Sequence, residues 1–350
     1  MKTSSSQIQR LALITLSASS IALSAYAAEP VANFIPDGRT AQFDTSPSFV
    51  PPSQLPLVDS GDGGLAPQFE ADKLTSVAVD RNGKTYSATL TEEDRAAFAN
   101  AVARWSDSSE GLNFGSPEKA RKASARERDA NYHPESVIGA DTRTQVFGTT
   151  TYPWRTFGRI DIGCSGTLIG PRHVLTAGHC VYNTATNQWY SSLNFTPAQN
   201  GASKPYGTIG WSKAISVTGW TQSHDRNYDY AMIVLSQPIG NTVGWMGYGY
   251  NDSLPLYTVN INGYPGDKPF GTMWHADCPL TINQTYRLYY ACDTAGGMSG
   301  SSVYVYFSST GSRIIYGIHA YGVDGTGYNG ATRIRSAVFN NLKAWKTANP

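Results

Sequence analysis

Short apolar runs separated by glycine, proline, asparagine and serine dominate the chain from about residue 136 onward. They fall at 159–162, 166–169, 174–175, 214–217, 231–235, 257–262, 286–291, 302–307, 314–319 and 331–334. Most are of strand length, and the turn residues between them recur at the spacing of a sandwich or barrel. Ser308-Ser309-Thr310-Gly311-Ser312 is a hairpin turn by composition. The pattern changes period only at the end, where Val338, Leu342 and Trp345 share one helical face. An all-β unit over 136–350, closed by a C-terminal helix, is predicted.

The first 135 residues follow other patterns. Lys2 and Arg10 precede or open an apolar stretch at 11–23, and Ala25-Tyr26-Ala27 has the small-x-small form of a cleavage site. This predicts a signal peptide over 1–27 and export. The apolar stretch is shorter than the roughly 20 residues needed to span a bilayer, so no membrane association is expected once it is removed. Residues 28–64 are rich in proline, serine, aspartate and glycine without steady periodicity, which predicts extended or poorly ordered chain. Residues 77–90 alternate enough for one or two short strands. Thr91 is placed to cap a helix with Asp94 in its first turn, and Phe98, Val102 and Trp105 give that helix an apolar face. Residues 107–131 mix Lys119, Arg121, Lys122, Arg126 and Arg128 with Glu118, Glu127 and Asp129, as a solvated linker open to proteolysis does. Residues 28–135 thus form a partly disordered leader to the β unit.

Charge and cysteine usage narrow the chemistry. The formal net charge is +1, and no basic block falls in the second unit, so nucleic acid is not an expected partner. All four cysteines, Cys164, Cys180, Cys278 and Cys292, lie in that unit. An even number in an exported protein argues for disulfides, and four cysteines allow three pairings. Local spacing favours Cys164–Cys180 and Cys278–Cys292. With no Cys-x-x-Cys pair, neither a metal site nor a cofactor is expected.

The candidate chemistry centres on Ala-Gly-Gly-Met-Ser-Gly-Ser-Ser at 295–302. Ser299 stands between Met298 and Gly300, and glycines allow the backbone angles that turn amides toward a substrate carbonyl. The amides of Gly297 and Ser299 could share one hollow and hold an oxyanion. By itself such a stretch is also an ordinary turn. His179, in Leu-Thr-Ala-Gly-His-Cys just past the run at 174–175, and Asp229, just before the run at 231–235, complete the set. His, Asp and Ser in that chain order, each at the edge of a strand-like run, form a serine-nucleophile triad. Asp225 rivals Asp229, and Ser301 and Ser302 rival Ser299, without the same framing. His173 and His224 are expected on the surface.

Several segments together carry a family resemblance. Val137-Ile138-Gly139, Cys164-Ser165-Gly166-Thr167-Leu168-Ile169, the stretch from Thr176 to Ala185, Tyr228-Asp229-Tyr230-Ala231, Ile239-Gly240-Asn241-Thr242-Val243-Gly244 and Gly263-Tyr264-Pro265-Gly266-Asp267-Lys268 resemble trypsin-like serine proteases of the bacterial glutamyl endopeptidase, or V8-like, branch. The resemblance implies two six-stranded Greek-key β-barrels. It implies a secreted monomeric endopeptidase in which His179 is the general base, Asp229 its orienting partner and Ser299 the nucleophile, with Gly297 and Ser299 as the oxyanion hole. Residues 28–135 become a pro-segment, removed near Glu135–Ser136 or Ser136–Val137. Thr294 and His319 match residues that hold a substrate carboxylate in that branch, which implies cleavage after Glu and more weakly after Asp. Asp293 is the competing acid, of the kind that selects Lys or Arg. Met298 stands where digestive relatives have an Asp that pairs with a freed N-terminal amine, so that activation switch is absent. A trypsin-like enzyme of other specificity and a non-catalytic binding protein on the same scaffold are the alternatives. An α/β-hydrolase esterase conflicts with the lack of alternating strands and helices.

Overall fold

The computed structural model describes residues 32–48, 71–88, 136–251, 253–323 and 326–350. The expected signal peptide, the helix from Thr91, the linker at 107–131 and the bond before Ser136 lie outside the described residues.

The leader contributes β1 (Ile35–Thr40), β2 (Phe43–Asp44), β3 (Ser76–Asp80) and β4 (Lys84–Ala88). The β unit opens with β5 (Thr144–Gln145), β6 (Phe157–Ile160), β7 (Cys164–Leu168), β8 (His173–Thr176), β9 (Tyr182–Asn183), β10 (Gln188–Tyr190), β11 (Phe195–Pro197), β12 (Trp211–Val217) and β13 (Ala231–Leu235). Then follow β14 (Gly247–Tyr248), β15 (Thr258–Gly263), β16 (Trp274–Asn283), β17 (Arg287–Tyr290), β18 (Ser302–Phe307), β19 (Ser312–Tyr321) and β20 (Asn329–Arg333).

Two barrels result. In the first, the neighbours run β12, β13, β8, β7, β6, β11, and a bridge from Phe195 to Ile209 ties the last strand back toward the first. In the second, β19, β18, β15, β16, β17 and β20 follow one another, and β19–β20 pairing closes the ring. Both are six-stranded, as expected. β7, β8, β13 and β20 are buried along their whole length, and each barrel encloses apolar residues. Phe157, Leu168, Val174, Ile215 and Ile233 are buried in the first, and Val259, Ile261, Leu288, Val303 and Ala331 in the second. The C-terminal helix Ser336–Ala348 buries Val338, Leu342 and Trp345, the face its spacing foretold. No helix among the described residues is long and apolar enough to cross a membrane. Cys164–Cys180 and Cys278–Cys292 are the disulfides.

The leader does more than its composition suggested. β3 pairs antiparallel with β12 from Ser76↔Val217 to Asp80↔Lys213, and β4 and β1 extend the sheet outward. Leu74, Ala78 and Val79 join the buried core of the first barrel. Trp345 Nε1 donates to Ser76 Oγ at 2.7 Å, and Asn341 Nδ2 donates to the Leu74 carbonyl at 3.2 Å. β1 is exposed at all six positions, in keeping with an extended segment.

Several short strands (β5, β9, β10, β11 and β14) and one long one, β16, have no counterpart among the predicted runs. β16 spans ten residues, yet only two of them are buried, and it includes His275, Asp277 and Pro279. A half-buried strand that carries this much polarity gives little apolar signal.

Candidate active site

The three predicted residues come from three connections, each at the end or start of a strand. His179 lies in a 3-10 turn, Gly178–Cys180, entered directly from β8. The Cys164–Cys180 bond ties this turn to the start of β7. Asp229 ends the 3-10 turn Arg226–Tyr228 and leads through Tyr230 into β13. Since β13 pairs with β8 through Ala231↔Thr176, the two turns sit side by side. Ser299 precedes β18, and its carbonyl accepts the Ser165 amide of β7 at 2.8 Å.

Asp229 is fully buried and holds His179 twice. Oδ1 accepts the His179 backbone N–H at 2.9 Å, and Oδ2 faces Nδ1 at 2.8 Å. Burial alone would raise the Asp229 pKa. The charge and hydrogen bonds of His179, with a further bond from Tyr321, outweigh it and hold the carboxyl below its ordinary value. Tyr321 Oη donates to Asp229 Oδ2 at 2.6 Å. Trp220, itself buried, meets the His179 ring edge-on with centroids 6.3 Å apart. Asp225 is on a different errand, since its carboxylate pairs with Lys73 of the leader at 3.2 Å. Ser302 Oγ donates to Thr167 Oγ1 at 2.7 Å across the barrels, which removes it as a rival to Ser299. Ser301 is fully buried. His173 is buried rather than on the surface as expected: its Nε2 lies 2.8 Å from the Asn349 carbonyl, and burial pushes its pKa down to about 4.

The loop before Ser299 is shaped by Gly297, whose φ is +100°. A Cβ there would lie 2.5 Å from the Tyr264 carbonyl, so only glycine fits. The Gly296 carbonyl accepts from Gly266 N at 2.6 Å, and the Met298 carbonyl from Ser301 N at 2.9 Å. In a trans peptide the N–H points opposite to the C=O. The amides of Gly297 and Ser299 are therefore turned away from these bonds.

The two residues expected to line a substrate pocket flank this loop. Thr294 is fully buried, and its Oγ1 has no hydrogen-bond partner among the described residues. His319 lies on β19, where its carbonyl accepts from Gly300 N and its amide donates to the Ser301 carbonyl, both at 2.8 Å. Tyr290 Oη lies 2.7 Å from His319 Nδ1. Burial, then the neighbouring His179 charge, pushes the His319 pKa down to about 3, so the imidazole is neutral in the free protein. Asp293 is turned elsewhere. Its oxygens accept from Ile138 N at 2.7 Å, Thr142 N at 2.8 Å and Thr142 Oγ1 at 2.7 Å.

Tyr321, Tyr290 and Asn329 were not singled out from sequence. Asn329 is fully buried and donates to the Ser136 and Cys292 carbonyls at 2.7 and 2.9 Å, tying Ser136 to Cys292. A tyrosine or asparagine at a strand edge carries no signal that separates such a bond from ordinary packing.

The comparisons agree with this geometry. The trypsin family model matches residues 142–343. A glutamyl endopeptidase of Bacillus licheniformis is 46% identical over 239 residues, covering 66% of this chain and 75% of the relative. An extracellular metalloprotease of Bacillus subtilis is 38% identical over 287 residues, covering 79% of this chain and 89% of the relative. A solved structure of a Glu endopeptidase superposes with a TM-score of 0.56 at 32% identity, over 60% of this chain and 99% of the other. The name of the second relative raises the question of a metal. Among the described residues, the one compact group of potential donors is Cys164, His179 and Cys180. Its two sulfurs are bonded to each other and offer no thiolate, so this set does not fit a metal ion. With the matched domain, the paired barrels and Asp229 set on His179, this chain belongs to the trypsin family and is a serine endopeptidase.

Proposed function

We propose that the protein is a secreted endopeptidase that cleaves after Glu, and more weakly after Asp, through an acyl-enzyme. His179 Nε2 takes the Ser299 hydroxyl proton as Oγ attacks the scissile carbonyl. Asp229 holds Nδ1 protonated and stabilises the imidazolium. The amides of Gly297 and Ser299 hold the oxyanion; one such donor is worth about 2.7–4 kcal/mol of barrier. His179 then protonates the leaving amine, and water, deprotonated by the same imidazole, releases the acid. The observation that carries this reading is the buried Asp229 fixed on both the backbone and the ring of His179.

The preference for Glu rests on the chemistry of the pocket wall. Thr294 Oγ1 is a buried hydroxyl available to a substrate carboxylate. His319, whose Nδ1 lies 2.7 Å from Tyr290 Oη, can donate a ring N–H to the same carboxylate when its proton sits on Nε2. An entering carboxylate would also favour the imidazolium and strengthen the bond. Asp293, with three donors from 138–142, is already engaged. Matched peptide substrates test this. Glu at P1 is expected to exceed Lys by on the order of 10⁴ in kcat/KM, as for sites built to hydrogen-bond a polar group. His319→Ala is expected to reduce Glu turnover on the order of 10- to 100-fold, the worth of a bond to a charged group. Efficient cleavage after Lys or Arg with Glu substrates untouched would give the pocket to Asp293 instead.

The chain is organised for export as signal peptide 1–27, pro-segment 28–135 and protease domain 136–350, and it works as a monomer on protein and peptide substrates. Glu135 stands just before the boundary, which makes self-cleavage chemically consistent. N-terminal sequencing of secreted Ser299→Ala protein decides the route. An uncut chain is the expected result for self-processing, and a correctly cut inactive chain assigns the cut to another protease.

A further inference from the structure

Arg143 lies outside the triad and the pocket, yet its side chain is completely buried. A buried guanidinium is tolerated only when well paired. Nε and Nη2 donate to Asp141 at 2.9 and 2.8 Å, while Nη1 and Nη2 donate to Asp267 at 3.0 and 2.5 Å. Two such bidentate forks fix direction as well as distance. Lys268 Nζ adds a bond to Asp141 Oδ2 at 2.7 Å. The arginine fork holds the Asp141 carboxyl far below the usual carboxylate range.

The cluster ends next to the oxyanion loop. Asp267 follows Gly266, whose amide donates to the Gly296 carbonyl at 2.6 Å. That bond sets the plane of the peptide between residues 296 and 297, and so the direction of the Gly297 N–H. The approach is close: a Cβ on Gly266 would lie 3.0 Å from the Gly296 carbonyl oxygen. Ser165 Oγ, which accepts the Tyr264 amide at 2.9 Å, donates to the Gly297 carbonyl at 2.8 Å and fixes the other side of the residue. Met298, buried in the core of the second barrel, can form no salt bridge of its own beneath this loop.

We infer that Arg143 is a positioning residue for the oxyanion hole: clamped between Asp141 and Asp267, it holds the 264–268 loop so that Gly266 locks the amide of Gly297 toward the substrate. The inference rests on the reading of Gly297 as an oxyanion donor. Arg143 belongs to the domain itself and not to the leader, so the brace is present before and after the cut near residue 135.

The test is Arg143→Met, with Asp267→Asn and Arg143→Lys beside it. Asp141 and Asp267 are partly exposed and remain hydrated when the arginine is lost. Rates are taken per active site, titrated to completion with a phosphonate, so that misfolded molecules drop out. Arg143→Met is expected to lower kcat about 10- to 100-fold, a fraction of what full loss of a donor costs, with KM changed by less than about threefold. Affinity for a peptide aldehyde, whose adduct places an oxyanion in the hole, is expected to fall by the same factor as kcat. Asp267→Asn moves both quantities the same way by less, and Arg143→Lys restores part of the loss. Unchanged kcat per titrated site, a change in KM alone, or a kcat loss with aldehyde affinity intact each overturns the brace. Should Arg143→Met fail to fold, the same readings on the two milder variants decide. Retention of more than about 1% of the parent kcat by Ser299→Ala would instead overturn the reading of the site on which the brace rests.

Discussion

Ser299→Ala is expected to lower kcat by about 10⁶-fold while leaving the fold and its melting temperature unchanged. The side chain is small and nearly buried, 2% exposed, so its loss leaves little cavity. The backbone around it is held by groups the substitution does not touch. Ser165 N donates to the Ser299 carbonyl, and Gly300 N to the His319 carbonyl, both at 2.8 Å. What disappears is the one oxygen that can form the acyl-enzyme. Oxyanion donors and substrate binding remain, so turnover should stay above that of water. Purified variant is assayed on a Glu ester and a Glu peptide, and its melting curve is compared with the parent. Retention of more than about 1% of the parent kcat would remove Ser299 from the nucleophile's role.

Asp229→Asn is expected to cost about 10⁴ in kcat, by trapping the wrong tautomer of His179. In the parent, Oδ1 meets a backbone N–H, while Oδ2 meets the His179 ring at 2.8 Å and the Tyr321 hydroxyl at 2.6 Å. An asparagine amide has two ways to lie here. With its nitrogen at the Oδ1 position, it faces the His179 N–H, donor against donor, in a fully buried place. With its nitrogen at the Oδ2 position, every group finds a partner. The amide keeps accepting the backbone N–H, donates to a deprotonated Nδ1, and the Tyr321 hydroxyl turns to the Arg226 carbonyl, which lies 3.0 Å away. The second arrangement wins, and it puts the imidazole proton on Nε2, where it cannot accept one from Ser299. Nitrogen-resolved NMR of His179 should show the exchanged tautomer together with the loss in kcat. Asp225→Asn is the matched control, since that carboxylate pairs with Lys73 at 3.2 Å and touches no part of the triad. A large loss in the control, with Asp229→Asn within tenfold of the parent, would reverse the assignment of the two aspartates.

How much of this could be read before the structure depended on whether a residue's role was local. Ser299 and His179 announce themselves because glycines and strand ends frame them, and the backbone angle at Gly297 is a local need. The disulfides followed from spacing because each joins neighbouring strands or turns, 16 and 14 residues apart. β13 and β18 matched their apolar runs because β13 is buried throughout and β18 over its first four residues. Roles that depend on a distant partner left no mark. Arg143 sits in a short polar stretch, Asp-Thr-Arg, that looks like solvated surface until Asp267 is brought beside it. Tyr321 looks like strand packing until the first barrel presents Asp229. The alternation at 77–90 foretold strands but not the edge they would take, because period-2 patterning says which face is buried and nothing about the neighbour.

The leader hairpin also bears on how the molecule behaves in a crowded solution. An open strand edge is a template for the strand of another molecule. Were the hairpin absent, Lys213–Val217 would present such an edge on a large apolar barrel. With β3 in place, that edge is filled by the chain's own backbone. The sheet then ends on β1, which makes a poor template. It carries Pro36, Asp37 and Arg39, all six of its residues face solvent, and its register against β4 shifts between Pro36 and Thr40. β3, β4 and β1 thus replace an open barrel edge by a border that offers further strands a poor template.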